Sequence, residues 1–109
     1  MTFSVSATLL DALVLSVVAR EDTYGYKITQ DVKEAIDISD STLYPVLRRL
    51  QKDDCLDIYD KEHSGRNRRY YTITNKGRLK LALYREEWEL YKKKIDKVLK
   101  GDDENEQVC

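Results

Sequence analysis

Leu81, Tyr84, Trp88, Tyr91, Ile95 and Val98 recur at intervals of 3, 4, 3, 4 and 3 residues. Only a helix brings such positions into line, and this two-in-seven seam is narrower than the stripe of a helix enclosed in a globular core. The spacing predicts one long helix from Asn75 to about Leu99. The six seam residues are then a dimer interface, with Leu79, Ala82 and Leu83 turned toward the helix's own body. A seam holding a tryptophan and two tyrosines is an insoluble choice for a monomer. The other arrangement open to it is to fold back on the chain's first helix. Either way, of 109 residues only 1–74 remain to build a single modest core. The end of the chain, GDDENEQVC at 101–109, is acidic, lacks apolar periodicity and reads as a disordered tail.

Within the body, Leu9, Leu10, Leu13, Val14, Val17 and Val18 fall at helical spacing, and Leu15 and Ala19 widen the stripe. Residues 7–20 are therefore expected to form a central helix buried on most sides. REDT breaks it and offers Asp22 or Thr23 as the cap of a second helix over about 24–35, which would bury Tyr24, Ile28, Val32 and Ala35. Gly25 near its start suggests the close approach of another backbone. A third helix follows in DSTLYPVLRRLQKD, capped by Asp40 or Ser41 and started late so that Pro45 stays near the first turn. Its apolar face is Leu43, Val46, Leu47 and Leu50; at 100° per residue, Ser41, Tyr44, Pro45, Arg48 and Lys52 lie opposite. CLDIYDKE then alternates as a half-buried strand, HSGRN turns, and RRYYTIT returns with Tyr71 and Ile73 on one face. Two helices joined by a short connector, then a hairpin, predict a mainly α fold with a small β wing: a winged helix-turn-helix with a long C-terminal dimerisation helix.

Charge points to what such a body would bind. The chain is nearly neutral at −1, and residues 1–40 carry an acidic excess. Residues 61–85 hold eight basic residues against Glu62 alone, a local charge of +7. Because screening limits each charge to a reach of ~8–10 Å, the local value decides. Lys61, Arg66, Arg68 and Arg69 crowd around the hairpin tip, where phosphates would lie, and arginine suits a narrow minor groove. On the third helix, Ser41 and Thr42 would reach phosphates or base edges, and Arg48 and Lys52 would meet phosphate. Charged hairpin edges also guard against strand pairing, but acids would serve that purpose equally.

YGYKI at 24–28, STLYPVLRRL at 41–50 and GRNRRYYTIT at 65–74 resemble the PadR family of bacterial transcriptional regulators, over roughly residues 5–100. The resemblance implies a winged-helix repressor acting as a dimer on double-stranded DNA. Its contacts would come from Ser41, Thr42, Tyr44, Pro45, Arg48, Arg66, Arg68 and Tyr70. A two-fold dimer would set its recognition helices about one DNA turn, ~34 Å, apart and read a palindromic operator. Some relatives bind flat aromatic compounds at the dimer interface, which would make Trp88 and Tyr91 a binding place for a small aromatic effector. Two positions depart from the family pattern: Asp54 stands where glycine is common after the recognition helix, and Asn67 where proline is frequent in the wing.

Other classes find little support. His63 is the sole histidine and has no nucleophile partner beyond its neighbour Ser64, no glycine-rich phosphate loop is present, and Cys55 and Cys109 lack metal-ligand spacing. No enzyme activity, cofactor or metal is expected. The longest apolar run, ALVLSVVA at 12–19, is far short of the ~20 residues of a membrane span and has no basic segment before it, so the expected location is the cytoplasm. The rival is a protein-interaction adaptor that uses the aromatic seam and has no DNA role.

Overall fold

The computed structural model describes residues 5–101. The proposed disordered tail, including the Cys109 thiol, therefore lies outside the described residues apart from Gly101. Helix α1 (Ala7–Arg20) begins where the Ser6 hydroxyl accepts the Leu9 N–H at 3.1 Å, and it buries Leu10, Asp11, Val14, Leu15, Val17 and Val18. It packs against α2 (Gly25–Lys33), α3 (Asp40–Lys52) and α4 (Asn75–Leu99), as expected of a helix apolar on most sides.

Between α1 and α2 the chain does something that periodicity does not reveal. Thr23 and Tyr24 form a short strand, β1, paired with Tyr71 and Tyr70. Neither Asp22 nor Thr23 caps α2; its N-cap is Tyr24, without a side-chain hydrogen bond. The helix ends at Lys33, two residues earlier than expected, and Ala35 is exposed. Thr29 is buried beside Ile28 instead, and its hydroxyl donates to the Gly25 carbonyl at 3.0 Å. The neighbour approaching Gly25 is a side chain, not a backbone: a Cβ there would stand 3.3 Å from the Tyr44 ring.

In α3, Leu43, Val46, Leu47 and Leu50 are buried, matching the expected face. Its N-cap is Ser39, one residue before the expected candidates, so Pro45 sits in the second turn. There it withholds the N–H that the Ser41 carbonyl would otherwise receive. The helix closes in a Schellman arrangement: Cys55 N–H donates to the Leu50 carbonyl at 2.9 Å and Asp54 N–H to Gln51 at 3.0 Å. This needs a left-handed residue, and Asp54 supplies it with φ 64°.

Strands β2 (Leu56–His63) and β3 (Arg66–Ile73) pair in register from Leu56↔Ile73 to His63↔Arg66, giving an antiparallel sheet of order β1-β3-β2. The turn is only Ser64–Gly65, with φ of 55° and 80°, the two positive values of a type I′ turn. The expected five-residue loop is therefore mostly strand, and Arg66 already belongs to the ladder.

Thr74 then caps α4: its hydroxyl accepts the Gly77 N–H at 3.0 Å and donates to the Asp54 carbonyl at 2.6 Å. Gly77 lies against the end of α3 and the start of β2 so closely that a Cβ would come within 2.3 Å of the Cys55 carbonyl oxygen. Leu81 and Tyr84 continue this contact against α1, so the first turns of α4 belong to the same core as α1–α3 and the sheet. The expected sidedness is thus reversed here. Leu81 is 4% exposed and packs in its own chain, whereas Leu79 and Leu83 are 70% and 60% exposed. Beyond Tyr91 the helix runs past the body, contributing to extents of 65 × 31 × 21 Å. No helix among the described residues is long and apolar enough to cross a membrane.

Candidate nucleic-acid interface

The outward face of α3 presents Ser41, Thr42, Tyr44, Pro45, Arg48 and Lys52, all exposed. At its first turn the Ser39 hydroxyl lies 3.0 Å from that of Ser41 and 2.9 Å from that of Thr42, which fixes the two predicted hydroxyls beside the helix N-terminus. Partial positive charge at that end suits an anionic oxygen. One turn on, Tyr44 and Arg48 form one wall of a groove of about 620 Å³. Arg68, Arg69, Asp60 and Tyr71 of the sheet form the other wall, and Tyr24, Gly25 and Tyr26 close one end.

Four of the predicted contacts, Tyr44, Arg48, Arg68 and Arg69, therefore meet in one place. Ser41, Thr42, Pro45, Lys52 and Arg66 lie outside the groove on exposed surface. Tyr70 is different. It is 7% exposed and stacked on Tyr59 at 5.7 Å between ring centres, so it offers little surface and shapes the sheet from within. The groove also holds Tyr26 and Asp60, which periodicity did not single out, and Tyr24, which was expected on the buried face of the second helix. Tyr24 and Tyr26 flank a glycine in YGYKI, and the alternation is a strand-like signal too short to read alone.

The groove holds one carboxylate, Asp60, which stands across the ladder from Arg69 without forming an ion pair with it. Among the described residues Arg48, Arg66, Arg68 and Arg69 form no ion pair, while Lys27 and Lys33 on the neighbouring helix are engaged by Asp31 and Asp40 at 2.8 and 2.6 Å. Those carboxylate hydrogen bonds raise both lysine pKa values. In the hairpin, Lys61 stands directly across from Arg68. Like charges in that position disfavour the pairing. Two tyrosine faces offset the cost: Lys61 Nζ lies 5.0 Å from the Tyr70 ring centre and Arg68 Cζ 4.5 Å from that of Tyr24. Cations concentrated against their mutual repulsion, beside a helix whose outer face is polar, can bind a polyanion.

Arg49, next to Arg48 in sequence, turns the other way. It pairs with Asp11, a carboxylate of α1 buried to 8% exposure, which also receives the Tyr84 hydroxyl at 3.5 Å. Burial first, and then the Asp11 charge, raises the Tyr84 pKa above 10.0. One side chain thus ties α1 to both α3 and α4.

A second cleft, of about 400 Å³, lies between the start of α1 (Ser6, Thr8, Leu9, Ala12) and α4 (Tyr84, Glu87, Trp88, Tyr91). The Trp88 and Tyr91 rings are 6.3 Å apart and inclined by 40°. Trp88, Tyr91, Ile95 and Val98 are exposed along the same face, and Leu79, Leu83 and Leu90 along the opposite one. Among the described residues, no group of three or more His, Cys, Asp or Glu is placed to hold a metal ion.

Comparison with known proteins places this arrangement. Residues 14–83 match the family described as "Transcriptional regulator PadR-like family". A crystal structure of a Streptococcus mutans UA159 protein is 42% identical, with a TM-score of 0.87, covering 94% of this chain and 96% of that one. That of a PadR family transcription regulator from Clostridium difficile R20291 is 31% identical, with a TM-score of 0.77, covering 83% and 97%. An uncharacterised protein of Lysinibacillus sphaericus is 34% identical over 97 residues, 84% of this chain and 89% of the relative.

Proposed function

Since the chain belongs to the PadR-like family of transcriptional regulators, we propose that it is a sequence-specific repressor that binds a palindromic operator as a homodimer. The observation that carries the DNA contact is the groove in which Tyr44 and Arg48 of α3 face Arg68 and Arg69 of the wing, with no carboxylate paired to any of the three arginines among the described residues. In this reading α3 enters the major groove, with Ser41, Thr42, Tyr44, Pro45 and Arg48 near base edges and Lys52 on phosphate. Arg66, Arg68 and Arg69 follow the backbone toward the minor groove.

The second copy would cover the far half of α4. Trp88, Tyr91, Ile95 and Val98 continue the face that Leu81 and Tyr84 bury within the chain, and Leu79, Leu83 and Leu90 leave the opposite face apolar as well. A helix apolar on two exposed sides fits coverage by more than one element of a partner. Residues 1–74 then act as the DNA-binding unit and 75–100 as the dimerisation helix, sharing the core at Leu81. The cleft at Trp88 and Tyr91 would receive a small planar aromatic effector, which releases DNA by favouring another setting of the two heads.

The test is anisotropy of labelled duplex DNA against protein over a range of salt, with selected genomic upstream fragments and mixed-sequence competitor. Expected is a steep salt dependence and a palindromic site that survives competitor. Arg66→Glu with Arg68→Glu should abolish binding and leave the dimer intact by sedimentation. Absence of binding even at low salt would refute the DNA reading and favour the adaptor, whose working surface is the uncovered face of α4.

A further inference from the structure

We propose that Tyr24, which contacts none of the predicted DNA-binding residues of α3 through an ion pair or hydrogen bond, is a positioning residue for DNA binding: its ring holds the Arg68 guanidinium at the rim of the groove. The inference rests on the reading of the wing as a DNA contact and adds to it how one arginine is aimed.

Tyr24 is held in place by neighbours other than Arg68. It pairs with Tyr70 across β1 and β3, its ring lies 5.6 Å from that of Tyr70 and 6.0 Å from His63, and Tyr70 in turn stacks on Tyr59. Tyr59 is anchored by its hydroxyl, which donates to the Asp22 carboxylate at 2.8 Å. On this rigid row of rings Arg68 lies with Cζ 4.5 Å from the Tyr24 centre. The consequence shows in exposure. Arg66 and Arg69 are exposed, whereas Arg68 is half-buried although no carboxylate holds it. Tyr24 and Arg68 both line the groove that Arg48 also lines, so the ring and the arginine it carries stand together at its edge.

An arginine free in solvent loses much of its rotamer freedom when it settles on a phosphate. One already laid on an aromatic face has given up part of that freedom on folding, so binding costs less. The guanidinium is the better ion for this, being planar and weakly hydrated. The effect expected from a half-exposed cation–ring contact is about a two- to fivefold change in affinity.

The test is a double-mutant cycle on the full chain with a mixed-sequence duplex: wild type, Tyr24→Leu, Arg68→Ala and the pair, each over a salt series. Tyr24→Leu should weaken binding by about two- to fivefold in the wild type and not at all in Arg68→Ala. Tyr24→Phe should bind as wild type, since it keeps the ring. Arg68→Ala should flatten the logarithmic salt dependence by about one, while Tyr24→Leu leaves that slope unchanged. Equal losses from Tyr24→Leu in both backgrounds, or a Tyr24→Phe variant as weak as Tyr24→Leu, would overturn the positioning role while leaving the wing as a DNA contact. An Arg68→Ala protein with unchanged affinity and slope would remove that contact itself, and the inference with it. If melting shows that Tyr24→Leu does not fold, Tyr24→Val, whose β-branched side chain suits a strand, takes its place in the cycle.

Discussion

Replacing Gly77 with alanine puts a methyl group where there is no room for one. The added Cβ would lie 2.3 Å from the Cys55 carbonyl oxygen, 2.8 Å from Ile73 Cγ1 and 3.1 Å from the Cys55 carbonyl carbon. Ordinary contact needs about 3.5 Å, so the elements must separate by about 1 Å. The side chain of Ile73 can turn, but the carbonyl cannot. It accepts the Thr74 N–H at 3.1 Å, and the Cys55 N–H on the other side of the same residue closes the α3 cap onto Leu50 at 2.9 Å. Against this, alanine in a helix gains about 1 kcal/mol over glycine. Overpacking costs about 1–3 kcal/mol, and weakening the Thr74 hydrogen bond about 1 kcal/mol more. The expected net loss is about 1–3 kcal/mol, a fall in Tm of about 5–20 °C for a domain of this size. Urea and thermal unfolding at one fixed protein concentration would measure it, since association contributes to apparent stability. A Gly77→Ala protein as stable as wild type would refute the reasoning, because the helix gain alone predicts a rise.

Asp11→Ala, by leaving Arg49 and Tyr84 without their acceptor, should lower stability by about 1–2 kcal/mol in urea; the exposure of Arg49, 42% of its side chain, keeps the loss at the low end. Raising the Tyr84 pKa above 10.0 favours the neutral phenol in the folded state. Its contribution is therefore full below the unfolded value and lost as pH rises through the higher folded one, so Tyr84→Phe should flatten the alkaline fall in unfolding free energy above about pH 10. Pro45→Ala restores a donor to the Ser41 carbonyl and should raise the urea midpoint, by about 1–3 kcal/mol of stability. Trp88→Asp should shift sedimentation to the monomer, as should Leu83→Asp if both faces of α4 are covered.

What could be read from residues alone follows a physical division. The helices α1, α3 and α4 and the hairpin each run long enough for their periodicity to register, and Leu43, Val46, Leu47 and Leu50 are buried as the spacing requires. Strand β1 could not be read, because two residues carry no alternation and Tyr24 fits a helix entry as well as a strand. The sidedness of α4 failed for another reason. Leu81 and Leu83 each lie on an apolar stripe, and spacing defines a stripe without naming what covers it; the close approach at Gly77 selects the Leu81 side. In the candidate interface, Tyr44, Arg48, Arg68 and Arg69 were legible because they sit on α3 and the hairpin, elements long enough for their pattern to register. The burial of Tyr70 was not legible because part of its cover comes from the unread strand: Tyr24 of β1 lies beside it, and Tyr59 of β2 stands across from it.

The tight seat of Gly77 also sets a geometry of leverage. From Gly77 to Leu99 the helix rises through 22 residue steps, roughly 33 Å at 1.5 Å per residue. Its near end is seated closely against Cys55 and Ile73, so a rigid α4 would carry the wing with it. A tilt of about 10° applied at the far end displaces the joint by about 6 Å, close to two base-pair rises of ~3.4 Å. Two such arms clasped at their tips would work like a pair of calipers, converting a small change of angle into a change in the length of DNA they measure.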